Sequence, residues 1–244
     1  MDLPADVLIQ DTVMLLNQIV MTRELQDVPA LLVGHSMGGA IAAKVAATHA
    51  IASLQGVLVV DVVEGTALSS LHHMRRILED RPTKFPSPER AVQWAVSHQQ
   101  PKSMESARLS IPDQLKRAPA SASASASDST LDNGGGGGGG ADAASTASDS
   151  HPSGPFIWRT NLLATEPSWR GWFEGLTAAF LHCGMAKGLI VAGQDRLDKD
   201  MMIAQMQGKF QHILFPHVGH CMHEDAPETM AKTLLEFAKH YQLL

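Results

Sequence analysis

The chain is short of cysteine, of long apolar runs and of positive charge, and each shortage removes a class of protein. Only two cysteines, Cys183 and Cys221, occur in 244 residues. Two thiols cannot build a disulfide framework, which points to a reducing compartment, the cytoplasm or the nucleus. No apolar run approaches the roughly 20 residues that cross a bilayer. The first residues, Met1-Asp2-Leu3-Pro4-Ala5-Asp6, lack the basic region of a secretory leader. The formal net charge is −6, so neither nucleic acid nor an anionic membrane surface is an expected partner. What is present is a 44% apolar composition, enough for a sizeable core in one domain or two small ones.

The most informative stretch is Ala30-Leu31-Leu32-Val33-Gly34-His35-Ser36-Met37-Gly38-Gly39. Residues 30–33 read as a buried strand and residues 40–47, rich in alanine, as a helix. Gly-x-Ser-x-Gly between a strand and a helix is the context of a nucleophile elbow. Gly34, Gly38 and Gly39 lack a Cβ and let strand and helix approach closely. Ser36 is then held clear of the sheet, with the backbone N–H of Met37 aimed where an oxyanion would form.

Around this turn the pattern alternates. Helical periodicity covers 6–20. A β-rich run, 56–60, ends at Asp61, and 68–79 reads as a helix. Three prolines, Pro82, Pro86 and Pro88, break the pattern. Ser87 then caps a helix through His98, with Pro88 at its first position. Further strands are expected at 188–193 and 210–215, and helices up to Leu181, over 198–207 and over 227–241. Trp169 and Trp172 read as packing residues that could also line a pocket. Four strand–helix alternations predict an α/β fold with a parallel sheet. Residues 118–154 differ: Ala and Ser alternate, seven glycines follow from Gly134 to Gly140, and Leu131 is the one large apolar residue. Such a segment cannot bury enough surface to order itself, and reads as a disordered insertion. It separates residues 1–117 from residues 155–244.

A nucleophilic serine needs a base, and the base needs an orienting carboxylate. His220 follows the last predicted strand. Asp195 and Asp198 follow the strand before it, and Asp61 ends the strand after the elbow. Strand ends gather along one edge of a parallel sheet, so each carboxylate can reach the base. His217, His220 and His223 are spaced by three, beside Glu224 and Asp225. They lie on a strand-exit loop, where that spacing does not converge three imidazoles, so no metal is expected. His72 and His73 fall on a helix and should face solvent.

Seven segments occur in order: Gly34-His-Ser-Met-Gly-Gly, Asp61-Val-Val-Glu-Gly-Thr-Ala, Glu105-Ser-Ala-Arg-Leu-Ser, Trp172-Phe-Glu-Gly-Leu, Ala192-Gly-Gln-Asp-Arg-Leu-Asp-Lys-Asp, Gln205-Met-Gln-Gly-Lys-Phe-Gln and His223-Glu-Asp-Ala-Pro. Together they resemble the protein phosphatase methylesterases over nearly the whole chain except 118–154. The resemblance implies an α/β-hydrolase fold, with a mostly parallel sheet, helices on both faces and a helical cap. It implies removal of the methyl ester from the C-terminal leucine of the type 2A protein phosphatase catalytic subunit, with no cofactor. It also implies Asp61 as the acid, with Asp195 as the alternative.

One departure stands out. Chains of that family carry a His-Gly-Gly-Gly-type loop ahead of the elbow, which supplies a second oxyanion donor. Only 35 residues precede Ser36 here, and none forms such a loop. N-terminal strands are therefore expected to be missing, with the Ser36 strand at a sheet edge and the strain of the elbow relaxed. Loss of one oxyanion donor typically costs about 10²–10³ in turnover. Three functions remain in view: the phosphatase methylesterase, a general serine esterase for small esters, and a catalytically silent protein that binds the phosphatase through its cap.

Overall fold

The computed structural model describes residues 3–119, 154–193 and 197–244. In chain order the elements are α1 (Ala5–Thr22), β1 (Ala30–His35), α2 (Met37–Thr48), β2 (Leu54–Val60), α3 (Glu64–Glu79), α4 (Pro88–Ser97), α5 (Met104–Asp113), β3 (Leu115–Arg117) and β4 (Phe156–Trp158). A 3-10 turn (Leu162–Thr165) follows, then α6 (Glu166–Phe173), α7 (Leu176–His182), β5 (Ala186–Val191), α8 (Lys199–Met206), β6 (Gln211–Leu214), α9 (Met222–Asp225) and α10 (Pro227–His240).

Four strands pair in parallel in the order β1-β2-β5-β6. Alternate residues serve the two faces, as a period of two requires. Val57, Val59, Leu189 and Val191 join one core with Ala40, Ala43 and Ala46 of α2 and Phe180 of α7. Leu58, Val60 and Ile190 join the other core with Met230 and Phe237 of α10. Burial on both faces explains why β2 and β5 are nearly unbroken apolar runs. A third, smaller core (Phe85, Val92, Ala95, Ala107, Ile111, Leu115) binds α4 to α5 and the β3–β4 hairpin in the cap.

Several expected elements shift. The predicted helix ending at Leu181 is two helices, because Gly175 takes φ +82° between them. α3 starts at Glu64, four residues earlier than its apolar periodicity. Ser87 caps α4 as expected, accepting from the Arg90 N–H at 3.5 Å. Trp169 and Trp172 are packing residues: their indole N–H groups donate to Thr165 Oγ1 and to the Leu3 carbonyl.

β1 ends the sheet among the described residues, as expected, and Val33 on it is 41% exposed. α1 packs on α2 yet leaves Met14, Leu15 and Met21 exposed. An unpaired strand edge beside an apolar helix face is a template for association. Residues 1–244 expressed alone should therefore self-associate, giving a molar mass by light scattering that rises with concentration. A monomer throughout the range would contradict this, and Leu15→Glu with Met14→Lys should shift the equilibrium toward monomer.

Residues 120–153, nearly all of the predicted insertion, lie outside the described residues. Its two ends meet in the hairpin: Arg117 pairs with Phe156, and the Ala118 N–H donates to the Pro155 carbonyl at 2.9 Å. Replacing 120–153 by a short turn should leave the melting temperature within a few degrees of the parent, since closure entropy varies only as the logarithm of length. A large drop in a thermal melt would show that the segment holds the fold.

Candidate active site

Ser36 sits at φ +54°, ψ −125°, between β1 and the start of α2. A non-glycine residue with such a backbone carries strain of about 1–3 kcal/mol and persists only where its surroundings over-determine it. Those surroundings are β2 and α2. The Ser36 N–H donates to Val60 O at 2.8 Å, and Ser36 O accepts from the Gly39 and Ala40 N–H groups at 2.8 and 3.2 Å. The expectation that the elbow relaxes is thus corrected, because its restraints come from the side of the sheet that is present. The glycines divide the work unequally. A Cβ on Gly34 would lie 2.2 Å from Gly38 O, and one on Gly39 would lie 2.8 Å from Gly34 O. Gly38 has open space where its Cβ would be, so close approach does not require glycine there. Met37 opens α2, so its N–H belongs to the first turn, where helix amides have no intrahelical acceptor.

Asp61 leaves the end of β2 at φ +52°, with its N–H on Ile190 O at 2.8 Å. Its side chain is 1% exposed against 51% for His220, and Oδ2 accepts from His220 Nδ1–H at 2.8 Å. Oδ1 accepts from the Ala192 N–H at 3.3 Å. With Nδ1 protonated by this bond, neutral His220 presents an unprotonated Nε2. Ser36, Asp61 and His220 line one cavity of about 180 Å³, walled by Val63, Met74 and Phe173. No hydrogen bond joins Ser36 to the imidazole in this structure; such catalytic contacts are often loose without substrate and tighten with it.

Asp198, the other aspartate considered after the third strand, has different work. Its Oδ1 caps α8 through the Met201 N–H, and its Oδ2 accepts from the Gly65 N–H at 3.1 Å. Asp195 lies outside the described residues. The acids beside His223 are also engaged. Asp225 accepts from the Gly219 and Lys102 N–H groups at 2.7 and 2.8 Å, and Glu224 accepts from Ser110 Oγ at 2.7 Å. No group of three His, Cys, Asp or Glu suited to a metal occurs among the described residues. His72 and His73 are exposed on α3. Burial, then the Glu224, Asp225 and Asp61 carboxylates, push the Cys221 thiol up to about 11, so it is no nucleophile at neutral pH.

His35, inside the elbow motif, is a further residue of the site. Its Nε2–H donates to the backbone carbonyl of His220 at 2.7 Å, and its ring centre lies 4.6 Å from that of His220 and 4.8 Å from that of His223. Burial, and next the charge of His220, lower its pKa to about 4; the bond to the carbonyl acts the other way. The available signal was its place at the end of a strand beside the nucleophile, where a side chain must meet the neighbouring strand-exit loop.

The model of the alpha/beta hydrolase family matches residues 2–233. The chain belongs to the alpha/beta hydrolase family. It is 45% identical over 218 residues to protein phosphatase methylesterase 1 of Rattus norvegicus, covering 86% of this chain and 56% of the relative. The same values hold for the Homo sapiens protein of that name. That of Cryptococcus neoformans is 38% identical over 240 residues, or 97% of this chain and 51% of the relative. The resemblance drawn from the motifs is borne out, and the chain spans about half the length of the curated relatives it matches. Among solved structures, E-2-(acetamidomethylene)succinate hydrolase superposes with a TM-score of 0.65 at 15% identity, covering 97% of this chain and 74% of that one. That likeness bears on the fold alone.

His35 should set the pH response of stability. A histidine whose folded pKa is depressed binds fewer protons folded than unfolded between about 4 and 6.5. Stability should therefore fall as pH drops through that window, and the fall should be shallower in His35→Gln, followed by melting temperature against pH. An unchanged slope would mean that His35 is not held neutral by its burial.

Proposed function

We propose that the chain carries the catalytic part of a carboxylic ester hydrolase, with Ser36 as nucleophile, His220 as general base and Asp61 as its orienting acid. The observation that carries this reading is the His220 Nδ1–Asp61 Oδ2 bond at 2.8 Å beside a strained Ser36 in the same cavity. Ser36 Oγ attacks the ester carbonyl carbon while His220 Nε2 takes its proton. The Met37 N–H stabilises the oxyanion, within the field of the α2 N-terminus. The tetrahedral adduct collapses, the C–O bond to the alcohol breaks, and His220 returns its proton to the leaving oxygen. Water then attacks the acyl-serine by the same relay and releases the carboxylate. Only ester and water are consumed, so no cofactor is invoked.

For the substrate we propose the methyl ester on the C-terminal leucine of the type 2A protein phosphatase catalytic subunit, with methanol as leaving group. The support is the identity to proteins named protein phosphatase methylesterase 1 and the occurrence of the quoted motifs in order along the sequence. The cytoplasm or nucleus is the proposed location, as the low cysteine count favours. His35 is proposed as a positioning residue that fixes the His220 backbone.

The test uses residues 1–244 and a chimera completed with the N-terminal part of a relative. A fluorophosphonate should label Ser36 in both, and Ser36→Ala should remove all labelling and ester hydrolysis. Asp61→Asn should lower turnover by about 10⁴, the size of effect seen when an orienting aspartate loses its charge, and Asp195→Asn by far less. A crippled Asp195→Asn beside a mild Asp61→Asn would reassign the acid. Absence of labelling in the chimera would leave the silent phosphatase-binding protein, and turnover of small esters alone would leave the general esterase.

A further inference from the structure

A second cavity, of about 380 Å³, holds a cation that the site does not use. Arg81 follows the C-terminus of α3, with its guanidinium carbon 3.7 Å from the centre of the Trp158 ring and 5.8 Å from that of Trp94. Its Nε is closed off from solvent without a hydrogen-bond partner. Among the described residues no carboxylate pairs with this guanidinium. Other arginines of the cap do find acceptors. Arg75 pairs with Glu79 and Glu166, and Arg159 donates to the carbonyls of Asp113 and Leu115. A guanidinium is a permanent cation with five donors. Stacking on indole satisfies its face and leaves the in-plane donors unused. A half-buried, unpaired fork of this kind is built to take a planar anion, and a carboxylate matches it in two parallel bonds.

The place of the cavity says where that carboxylate would come from. Thr66, Ser70 and Met74 of α3 line the cavity at Ser36, and Leu78, the next residue in steps of four, lines the cavity at Arg81. Steps of four lie on one helix face. The opposite wall is shared in the same way: Phe173, at the end of α6, lines the first cavity, and Leu162 and Leu163, in the turn leading into α6, line the second. Ser70 to Leu78 spans roughly 12 Å along the helix, which an extended peptide covers in about four residues.

We propose that the Arg81–Trp158 cavity is a carboxylate-binding subsite that receives an acidic side chain lying about four to six residues before the esterified C-terminus of a peptide substrate. This rests on the esterase reading above and extends it from the bond cleaved to the peptide that carries it. Selectivity then has two parts: a small apolar cavity for the terminal residue and a fixed cation for an acid upstream.

Binding can be measured apart from turnover, with fluorescently labelled eight-residue Ala/Ser/Gly peptides ending in leucinamide, which the site cannot hydrolyse as an ester. One carries Glu five residues before the end, a second Gln there, and a third Glu next to the leucine. Anisotropy titrations should give about tenfold tighter binding for the first than for the other two, as one charge-assisted pair allows. The preference should vanish in Arg81→Gln and persist in part in Arg81→Lys, which keeps a cation if the neutral variant misfolds in a thermal melt. Equal binding of the Glu and Gln peptides to the parent overturns the subsite, and so does a preference that survives Arg81→Gln. Succinate competing at the concentration of the Glu peptide would assign the cavity to free small carboxylates and overturn the peptide reading. Fluorophosphonate labelling should be unchanged in Arg81→Gln. If the parent chimera is never labelled while the peptide preference holds, the esterase reading fails and the carboxylate subsite stands.

Discussion

Gly34 and the Gly38–Gly39 pair face each other across the elbow with no room for a methyl group on Gly34 or Gly39, and the rest of the site depends on this contact. The close approach brings the first turn of α2 over the end of β1, so Ser36 has no relaxed backbone available. The parallel register does the rest: His35 of β1 lies opposite Val60, and the next residue of β1's chain donates to Val60 O. One residue further along, Asp61 follows the end of β2. Nucleophile and acid are therefore set relative to each other by two adjacent parallel strands. Strands to the other side of β1 are not needed for that geometry, which is why the elbow stays strained at a sheet edge.

The base reaches the same place by a longer route. His220 lies on the loop after β6, the strand furthest from β1. That loop is held by Asp225, which ties Gly219 to Lys102, and by His35, which holds the His220 carbonyl. α9 is fastened in turn to α5, where Ser106 and Ser110 donate to the Glu224 carbonyl and carboxylate, each at 2.7 Å. The run Asp61-Val-Val-Glu-Gly works similarly. Asp61 receives His220, Glu64 accepts from the Gly175 and Thr177 N–H groups at 2.8 Å and so caps α7, and the amide of Gly65 meets Asp198. Segments far apart in the chain are thus stitched by carboxylates on backbone amides, bonds to a charged group that are stronger than neutral ones.

The legibility of this arrangement in the sequence was uneven for physical reasons. The buried parallel strands announce themselves by composition, since both faces must be apolar. Ser87-Pro88 and Asp198 announce helix starts because capping needs a particular side chain at a particular place. The elbow is legible because close approach needs glycine, although Gly38 shares the motif without sharing that constraint. Other features carry no local signal. α5 is one: it contains Pro112 and only two buried residues, Ala107 and Ile111, too few for a periodic stripe. The β3–β4 hairpin joins residues on either side of 120–153 and has no local turn pattern to betray it. Asp61 and Asp198 stand equally well at strand exits, and only tertiary hydrogen bonding gives one to an imidazole and the other to helix amides.

His35 shows how a neighbour of the catalytic group can act through its neutrality. In the proposed reaction His220 becomes a cation in each half-cycle. The buried Asp61 carboxylate favours that charge, in a setting where a charge without a partner would be costly. A protonated His35 at a ring separation of 4.6 Å would oppose it. Burial keeps His35 neutral at pH 7, its pKa lowered to about 4, while its Nε2–H still holds the His220 carbonyl. One imidazole thus supplies a donor without a competing charge, a combination that arginine at the end of β1 could not provide, because a guanidinium stays cationic. The position beside the nucleophile therefore favours a neutral donor, and the imidazole reaches the loop after β6 from β1, a strand three places away in the sheet.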